Sequence, residues 1–203
     1  AMWNNRRLTL LEGSSFVTGI GMLKDRYLYS CALAKDKDFR TIIYKDGVQE
    51  AGIENCNAAD FTVSGLTLFI GGSWAENGKE YPAYWRGAEM TDLSGNKTIE
   101  GYVSCIAIDD NDVYTGGTGY MWKNSKCTEM PHDGYDAAVV TDIVIDGSDV
   151  YASGYLKKGE DDFRACWWQD GALHLLDLDG NSGSSSATAI LRYDGKTYIG
   201  GYV

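Results

Sequence analysis

The sequence contains little proline and little histidine, and it has no long apolar run. Of its 203 residues, 2 are proline and 2 are histidine. No apolar stretch approaches the roughly 20 residues that a membrane-spanning helix needs, so we expect no membrane insertion. His132 and His174 lack the spacing of metal ligands, and there is no G-x-S-x-G motif. A histidine-dependent hydrolase triad, a metal site and a bound cofactor are therefore not expected.

Basic residues are also scarce. The chain has 18 Lys and Arg against 29 Asp and Glu, which gives a formal net charge of −11 at pH 7. A protein that follows a phosphate backbone or lies on an anionic membrane needs a basic face to do so. We therefore expect no nucleic acid partner.

Glycine and aromatic residues are abundant, and they recur in a fixed pattern. The chain has 25 Gly, 14 Tyr and 6 Trp. Five times, a large apolar residue is followed by an aromatic residue and then by a small residue. The five copies are Ile20–Tyr29–Ala32, Phe61–Phe69–Gly72, Ile106–Tyr114–Gly117, Ile143–Tyr151–Gly154 and Ile190–Tyr198–Gly201. Alternating polarity within each copy predicts an antiparallel hairpin, and the small residue predicts a bend or a close backbone approach.

An aromatic third strand and a short fourth strand are predicted after each hairpin. A Tyr or Trp recurs in every third strand, which is typical of a core position rather than a binding site. These residues are Trp3, Tyr44, Trp85, Trp122 and Trp168. Each unit then has four strands and about 41 residues, which is close to the repeat length of β-propeller blades.

The repeats predict an all-β fold, a five-bladed β-propeller of four-stranded antiparallel blades that occupies residues 1–203 as a single domain. The predicted blades are 13–53, 54–95, 96–131, 132–178, and 179–203 completed by 1–12. The N-terminal strands are expected to complete the C-terminal blade, which closes the ring and removes exposed sheet edges. A β-sandwich with fortuitous repeats is the alternative.

The repeat sequences resemble those of a known group. The Tyr-Trp-Lys-Asn-Gly-like turns and the Val-Tyr-x-x-Gly-Tyr strands are similar to repeats of uncharacterised bacterial propeller proteins, which are often secreted or lipid-anchored. The diglycines at 71–72, 116–117 and 200–201 resemble kelch repeats, although the Trp falls outside the kelch spacing. The resemblance covers essentially the whole chain. It implies a propeller fold at the cell envelope or outside the cell, and it implies no activity.

The five cysteines are expected to be reduced and structural. Cys105 is predicted on the first strand of its blade and Cys127 on or beside the fourth. Strands that far apart cannot be joined by a disulfide. The odd count and the absence of a C-x-x-C pair agree with free thiols, which weakens an argument for secretion.

Two carboxylates are the candidates for catalysis. Asp60 and Asp142 occupy the same repeat position, just before the large apolar residue of the innermost strand. Glycosidases built on five-bladed propellers gather carboxylates near the axis, and two carboxyls are the minimum for acid and base work on a glycosidic bond. The alternative is an Asp that is solvated or that bonds to its own turn.

Five residues are the candidates for ligand binding beside these carboxylates. They are predicted in loops between second and third strands, on the face where the innermost strands begin: Trp74, Tyr81, Tyr155, Phe163 and Arg164. Exposed aromatics with neighbouring carboxylates suit stacking on sugar rings or anchoring a protein. The alternative is that they fill gaps between blades. The segment Asp177–Gly183 resembles half of a calcium loop but is expected to be a flexible connection without metal.

We therefore expect a monomeric, non-catalytic binding scaffold, secreted or on the cell envelope, that recognises a glycan or a protein through one face. Two alternatives are kept open. One is a carbohydrate-active hydrolase that uses Asp60 and Asp142. The other is a structural module of a larger surface protein.

Overall fold

The fold is all-β, as the repeats predict. The computed structural model describes residues 2–4, 7–23, 27–34, 39–176 and 183–203, and these ranges contain strands and turns without helix. It follows that the described residues include no helix that is long and apolar enough to cross a membrane.

The chain forms two compact units, 1–103 and 104–203. The first unit has three antiparallel sheets. Its two-stranded sheet consists of β1 (Met2–Asn4) and β2 (Arg7–Thr9). One four-stranded sheet consists of β3 (Ser14–Leu23), β4 (Tyr27–Ala34), β5 (Arg40–Lys45) and β6 (Val48–Glu54). The other consists of β7 (Asn57–Ser64), β8 (Thr67–Glu76), β9 (Lys79–Arg86) and β10 (Glu89–Asp92).

The second unit also has three antiparallel sheets. The first consists of β11 (Val103–Asp109), β12 (Asp112–Gly117), β13 (Tyr120–Lys123) and β14 (Lys126–Glu129). The second consists of β15 (Ala137–Asp146), β16 (Asp149–Lys158), β17 (Asp162–Gln169) and β18 (Ala172–Leu175). The third has two strands, β19 (Ser186–Tyr193) and β20 (Lys196–Tyr202). Within each sheet, strands that follow one another in the sequence pair with one another, which is the predicted hairpin pattern.

A β-bulge recurs in the first strand of the repeat, opposite the small residue. The register shifts between Ala58 and Asp60 in β7, and at the equivalent points of β3, β15 and β19. A β-carbon added at Gly72 would lie 2.1 Å from the carbonyl oxygen of Asn57, the residue before the bulge. The predicted close backbone approach is confirmed, because only glycine leaves room for that carbonyl.

The turn between the third and fourth strands is fastened to the start of the second strand. Asp46, Asn124 and Asp170 occupy this turn with φ near +50°. Their side-chain oxygens accept the main-chain N–H of Leu28, Val113 and Val150 at 2.9 to 3.0 Å. Asp and Asn tolerate the left-handed conformation and can bond to nearby backbone, so the repeat places them here.

The aromatic residue of the third strand lies in the core, as predicted. Tyr44, Trp85, Trp122 and Trp168 are each buried to within 2% of full burial. The side chain of Trp3 is outside the part of the chain whose side chains the structure describes. Repetition at a fixed strand position therefore identified core residues correctly wherever it can be checked.

Side-chain hydroxyl groups connect the first strands of the three sheets in the second unit. The Oγ1 of Thr141 in β15 donates to the carbonyl oxygen of Ala187 in β19 at 2.8 Å. The Oγ of Ser104 in β11 donates in the same way to the carbonyl oxygen of Val140 in β15. In both cases a hydroxyl group joins one sheet to the next, and Thr141 is the extra residue of the bulge in β15.

None of the five cysteines, all of which are described, forms a disulfide. Cys31, Cys56, Cys105 and Cys166 are buried, and Cys127 is exposed. The prediction of reduced, structural thiols is confirmed in four positions by their burial, where a cysteine acts as a small apolar side chain.

Candidate functional site

Asp142 lies at the bulge of β15, and its carboxylate accepts main-chain hydrogen bonds. Oδ1 accepts the N–H of Ile143 at 2.9 Å, and Oδ2 accepts the N–H of Ile190 in β19 at 2.8 Å. Both oxygens therefore hold backbone N–H groups in the first strands of two neighbouring sheets, β15 and β19. Partial burial raises the pKa of Asp142 above its ordinary value, and these two hydrogen bonds offset part of that rise.

Asp60 occupies the equivalent position at the bulge of β7. Its Oδ1 accepts the N–H of Phe61 at 2.7 Å, as Oδ1 of Asp142 does for Ile143. The two carboxylates thus share a local geometry set by the bulge. They belong to different compact units, and the bond of Asp60 to Phe61 lies within β7 and not in a turn.

Trp74 and Tyr81 lie in strands, and the prediction that they occupy a loop is wrong. β8 continues to Glu76 and β9 begins at Lys79, so Asn77 and Gly78 alone form the turn. Trp74 and Tyr81 pair across these strands with ring centroids 5.0 Å apart, and both are buried in the core of the first unit. The Asn-Gly dipeptide is the signal for a tight two-residue hairpin that should have extended both strands.

The segment 93–102 follows β10 and contacts the side of this aromatic pair. The indole N–H of Trp74 points to Oδ1 of Asp92 at 3.4 Å, and Asp92 also accepts the N–H of Ser94 at 2.8 Å. The ammonium group of Lys97 lies 5.6 Å from the centre of the Trp74 ring and pairs with Glu76. No pattern in the sequence predicts that this segment returns to Trp74.

Tyr155, Phe163 and Arg164 also lie in strands rather than in a loop, because β16 ends at Lys158 and β17 begins at Asp162. All three are partly buried. Phe163 meets Tyr155 edge to face at 5.3 Å, and Arg164 donates to the carbonyl oxygen of Leu176 at 3.1 Å. The structure brings this group together within the second unit.

An uncovered apolar surface lies on the two-stranded sheet of the second unit, and sequence reasoning did not identify it. Exposed large side chains are concentrated on β19, β20 and the residue that follows them: Leu191, Tyr193, Tyr198, Tyr202 and Val203. A cavity of about 180 Å³ is lined by Ala165, Leu176, Gly200, Gly201 and Tyr202. The sequence signal for this surface is the pair Gly200 and Gly201, because glycine has no side chain to cover the sheet.

The first unit also has an uncovered apolar surface, which lies on β3. Ile20 is 56% exposed, whereas Phe61, Ile106, Ile143 and Ile190 at the same repeat position are 6 to 7% exposed. Phe16 and Met22 on the same strand are exposed as well. Among the described residues, Ile20 thus lacks the packing that its four equivalents receive.

The histidines have ordinary structural contacts. Nδ1 of His132 lies 3.1 Å from the carbonyl oxygen of Met130, and His174 stacks on Trp167 at 4.2 Å. Within the described ranges, no three His, Cys, Asp or Glu side chains are grouped as metal ligands would be. Residues 177–182 of the calcium-like segment lie outside the described residues.

Comparison with known proteins adds no assignment. A scan against protein-family models found no match, and a search of the curated proteins found none. The resemblance of the repeats to bacterial propeller proteins therefore stays a prediction. The function has to be argued from the geometry of the molecule alone.

Proposed function

We propose that the protein is a non-catalytic binding scaffold that recognises a glycan or a protein partner through one face of a closed five-bladed β-propeller. The proposal that the protein is not a catalyst rests on the hydrogen bonds that the two candidate carboxylates accept. Asp142 uses both oxygens, and Asp60 uses at least one, to accept main-chain N–H groups. A general acid must be able to reach a substrate oxygen, and a carboxylate that holds two strands together is poorly placed to do so.

The proposal of a closed ring is supported by the strand count. Four sheets have four strands each, and two have two strands, β1–β2 and β19–β20. Together the two short sheets would make one further sheet of four strands. Closure would also give Ile20 and the side chains on β19 and β20 the cover that their equivalents have, and burial of apolar surface is the main force that drives such packing.

The cavity beside Gly201 supports the same proposal. In the preceding repeat, Cζ3 of Trp168 would lie 3.0 Å from a β-carbon at Gly154, so the indole rests on that glycine. Gly201 is the equivalent glycine, and the cavity of about 180 Å³ lies beside it. An apolar cavity of about 150 Å³ holds a benzene ring, so this one has room for an aromatic side chain. Closure would bring the aromatic third strand of the completed sheet to this cavity.

A disulfide between the two open surfaces tests closure. In the first unit, a β-carbon at Gly19 would lie 2.6 Å from Cβ of Phe61. Ala189 and Ile20 are the equivalent pair across the proposed closure. In a Cys127→Ser background, Ile20→Cys with Ala189→Cys should therefore form an intramolecular disulfide on mild oxidation, because closure would bring the two β-carbons within disulfide range.

The matched control pairs Ile20→Cys with Leu175→Cys, which places a thiol at an exposed site on the outer strand β18. Non-reducing gels and intact mass spectrometry distinguish the products. The test pair should lose two hydrogens without dimer formation, and the control should not. A disulfide in neither variant, or only intermolecular disulfide, contradicts the closed ring.

The binding face is proposed to be the one on which the innermost strands begin, where the turns after β8 and β16 also lie. The aromatic pairs Trp74–Tyr81 and Tyr155–Phe163 lie next to these turns, the first buried and the second partly buried. The proposed setting is outside the cell or on its envelope. Burial of four of the five thiols would protect them from oxidants there.

Arrays of glycans and of immobilised peptides, probed with the labelled 203-residue protein, test the binding function. We expect saturable binding to one class of feature on one array. Binding to neither array contradicts the proposal. Release of sugar from a bound glycan, abolished in Asp142→Asn with binding retained, would instead support the hydrolase alternative.

A further inference from the structure

The Trp74 indole has a cation above it that the protein itself provides. Nζ of Lys97 lies 5.6 Å from the ring centre, within the distance at which a cation is attracted to an aromatic face. The same ammonium group pairs with the carboxylate of Glu76, two residues along β8 from Trp74. An aromatic face and a carboxylate that converge on one ammonium group are the elements of a site for a basic side chain.

Tyr81 fixes the orientation of the indole. Its ring lies 5.0 Å from that of Trp74 and is tilted by 34°, and the two residues face each other across β8 and β9. Asp92 accepts the indole N–H at 3.4 Å from the adjacent strand end. The aromatic face is therefore held in place before any ligand arrives, which lowers the entropy that binding would cost.

Lys97 reaches this site from a backbone conformation that an unbranched L-residue rarely adopts. Gly95, Asn96 and Lys97 have φ angles of 59°, 63° and 64°, so three successive residues are left-handed. Outside glycine, that conformation is disfavoured and needs support from surrounding contacts. Ser94, which is fully buried, anchors one end of the segment, and its Oγ accepts the N–H of Lys97 at 2.8 Å.

The remaining contacts of the segment on the solvent side are easily broken. Two ion pairs hold the segment on this side, Lys97–Glu76 and Lys79–Glu100. All four side chains are about half exposed. Exposed ion pairs contribute little to stability and are screened by salt. A competing cation could therefore displace Lys97 without disrupting the buried anchor at Leu93 and Ser94.

We propose that Trp74, Tyr81 and Glu76 form a site for a lysine or arginine side chain of a protein partner, and that Lys97 occupies this site in the free protein. The inference rests on the proposed binding function and specifies its ligand as a basic side chain. Lys97 then acts as an internal competitor. The net charge of −11 favours a basic partner over a neutral glycan, because long-range attraction speeds the encounter.

Tetramethylammonium chloride is a suitable probe, because it carries the positive charge without a peptide. The 203-residue protein, labelled with ¹⁵N at tryptophan, is titrated with this salt against sodium chloride at equal ionic strength. The readout is the indole N–H resonance of Trp74, assigned by its loss in Trp74→Phe. Lys97→Gln should bind the probe about two- to fivefold more tightly than the unmodified protein, since the competing cation–π contact has been removed.

Lys157→Gln is the matched control, because Nζ of Lys157 lies 6.0 Å from the ring centre of Phe163 in the other unit. It should leave the Trp74 titration unchanged. Lys97→Met, which keeps the aliphatic stem and removes the charge, should reproduce the gain and serves if Lys97→Gln does not fold. Glu76→Gln should weaken binding of the probe.

Equal affinities in Lys97→Gln and the unmodified protein, or a Trp74 resonance that does not respond to the probe, would overturn the inference. Failure of the proposed function would look different. Probe binding at Trp74 with no binding on either array contradicts the scaffold function and leaves the cation site in place. Array binding without a Trp74 response overturns the cation site alone.

Discussion

A β-carbon at Gly154 would lie 1.9 Å from the carbonyl oxygen of Val139. The glycine in β16 faces the residue that precedes the bulge in β15, so the backbones of the two strands approach more closely than any side chain allows. The same relationship joins Gly201 to Ser186, at 2.0 Å. Glycine is therefore required at this position by the close approach of the two strands at the bulge, and not by the conformation of a turn.

Gly154→Ala is expected to destabilise the protein by about 1–3 kcal/mol or more, because the added methyl group overlaps a backbone atom that cannot rotate away. Gly52→Ala is the matched control. A β-carbon there meets only the flexible end of Arg40, so the change should be within about 0.5 kcal/mol of neutral. Chemical denaturation measures both. Equal stability of the two variants would mean that the bulge does not exist in solution.

Thr115→Val is expected to stabilise the protein by about 1 kcal/mol. Thr115 is fully buried, and its hydroxyl has no hydrogen-bond partner among the described residues. Replacing an unpaired buried hydroxyl by a methyl group of similar shape removes a desolvation cost. Ile70 and Ala152 stand at the same repeat position, so an apolar side chain fits there.

Thr41→Val is expected to destabilise the protein, in contrast to Thr115→Val. The Thr41 hydroxyl is equally buried, but it donates to the carbonyl oxygen of Cys56 at 2.8 Å and accepts the N–H of Ala58 at 3.2 Å. Its loss should cost about 1–3 kcal/mol, because two buried backbone groups lose their partner. Urea denaturation of both variants gives the comparison. The interpretation fails if the two substitutions change stability in the same direction.

The stability of the protein should depend on pH through Asp142. Burial raises the pKa of this carboxyl in the folded state, so the folded protein binds the proton more readily than the unfolded chain does. The contribution of Asp142 to stability is therefore fully present below the ordinary pKa of 3.8. It is lost as the pH rises through the higher pKa of the folded state.

The measurement is the free energy of unfolding of the unmodified protein minus that of Asp142→Asn, taken at intervals from pH 3 to pH 7. Asn does not titrate, so the other carboxylates cancel in the difference. We expect the difference to fall as the pH rises and then to level off. A difference that rises with pH would show that hydrogen bonding outweighs burial at this carboxylate.

The thiols should differ sharply in reactivity. Burial raises the pKa of Cys31 and of Cys56 to about 12, and it raises the pKa of Cys166 as well, so little thiolate forms at pH 8. Cys127 is exposed. We expect a thiol reagent to modify one cysteine rapidly in the folded protein and all five after denaturation without reductant. Fewer than three reactive thiols in the denatured protein would indicate a disulfide that the fold does not contain.

The sequence predicted the repeat and its four strands because the signals for them are local. Alternation, the Asp-Gly turns and the small residue opposite the bulge all lie within one hairpin, and Trp85 and Trp168 were assigned to the core by their recurrence. The position of the ligand candidates depended on strand length, which is harder to predict. Asn77 and Gly78 form the whole turn, whereas the prediction made them part of a long loop. Trp74 and Tyr81 were therefore predicted to be exposed, although they form a buried pair.

The contact between Lys97 and Trp74 could not be predicted, because the lysine and the indole are separated by 23 positions and no pattern links them. The left-handed backbone at Lys97 departs from the preference of its residue type. Tertiary contacts at Ser94 and Glu76 determine it. The carboxylates at Asp60 and Asp142 were located correctly in the repeat, but their bonding to backbone N–H groups follows from the bulge, which alternation alone does not reveal.

The hydroxyl hydrogen bonds of Ser104 and Thr141 affect how the sequence of such a protein can evolve. Each hydroxyl reaches a main-chain carbonyl of the next sheet, a group that every residue type provides. A neighbouring repeat can therefore exchange almost any of its side chains and keep this hydrogen bond. A duplicated or recombined repeat could form the same hydrogen bond to its neighbour, provided that it contains a bulge and a hydroxyl side chain at the equivalent positions.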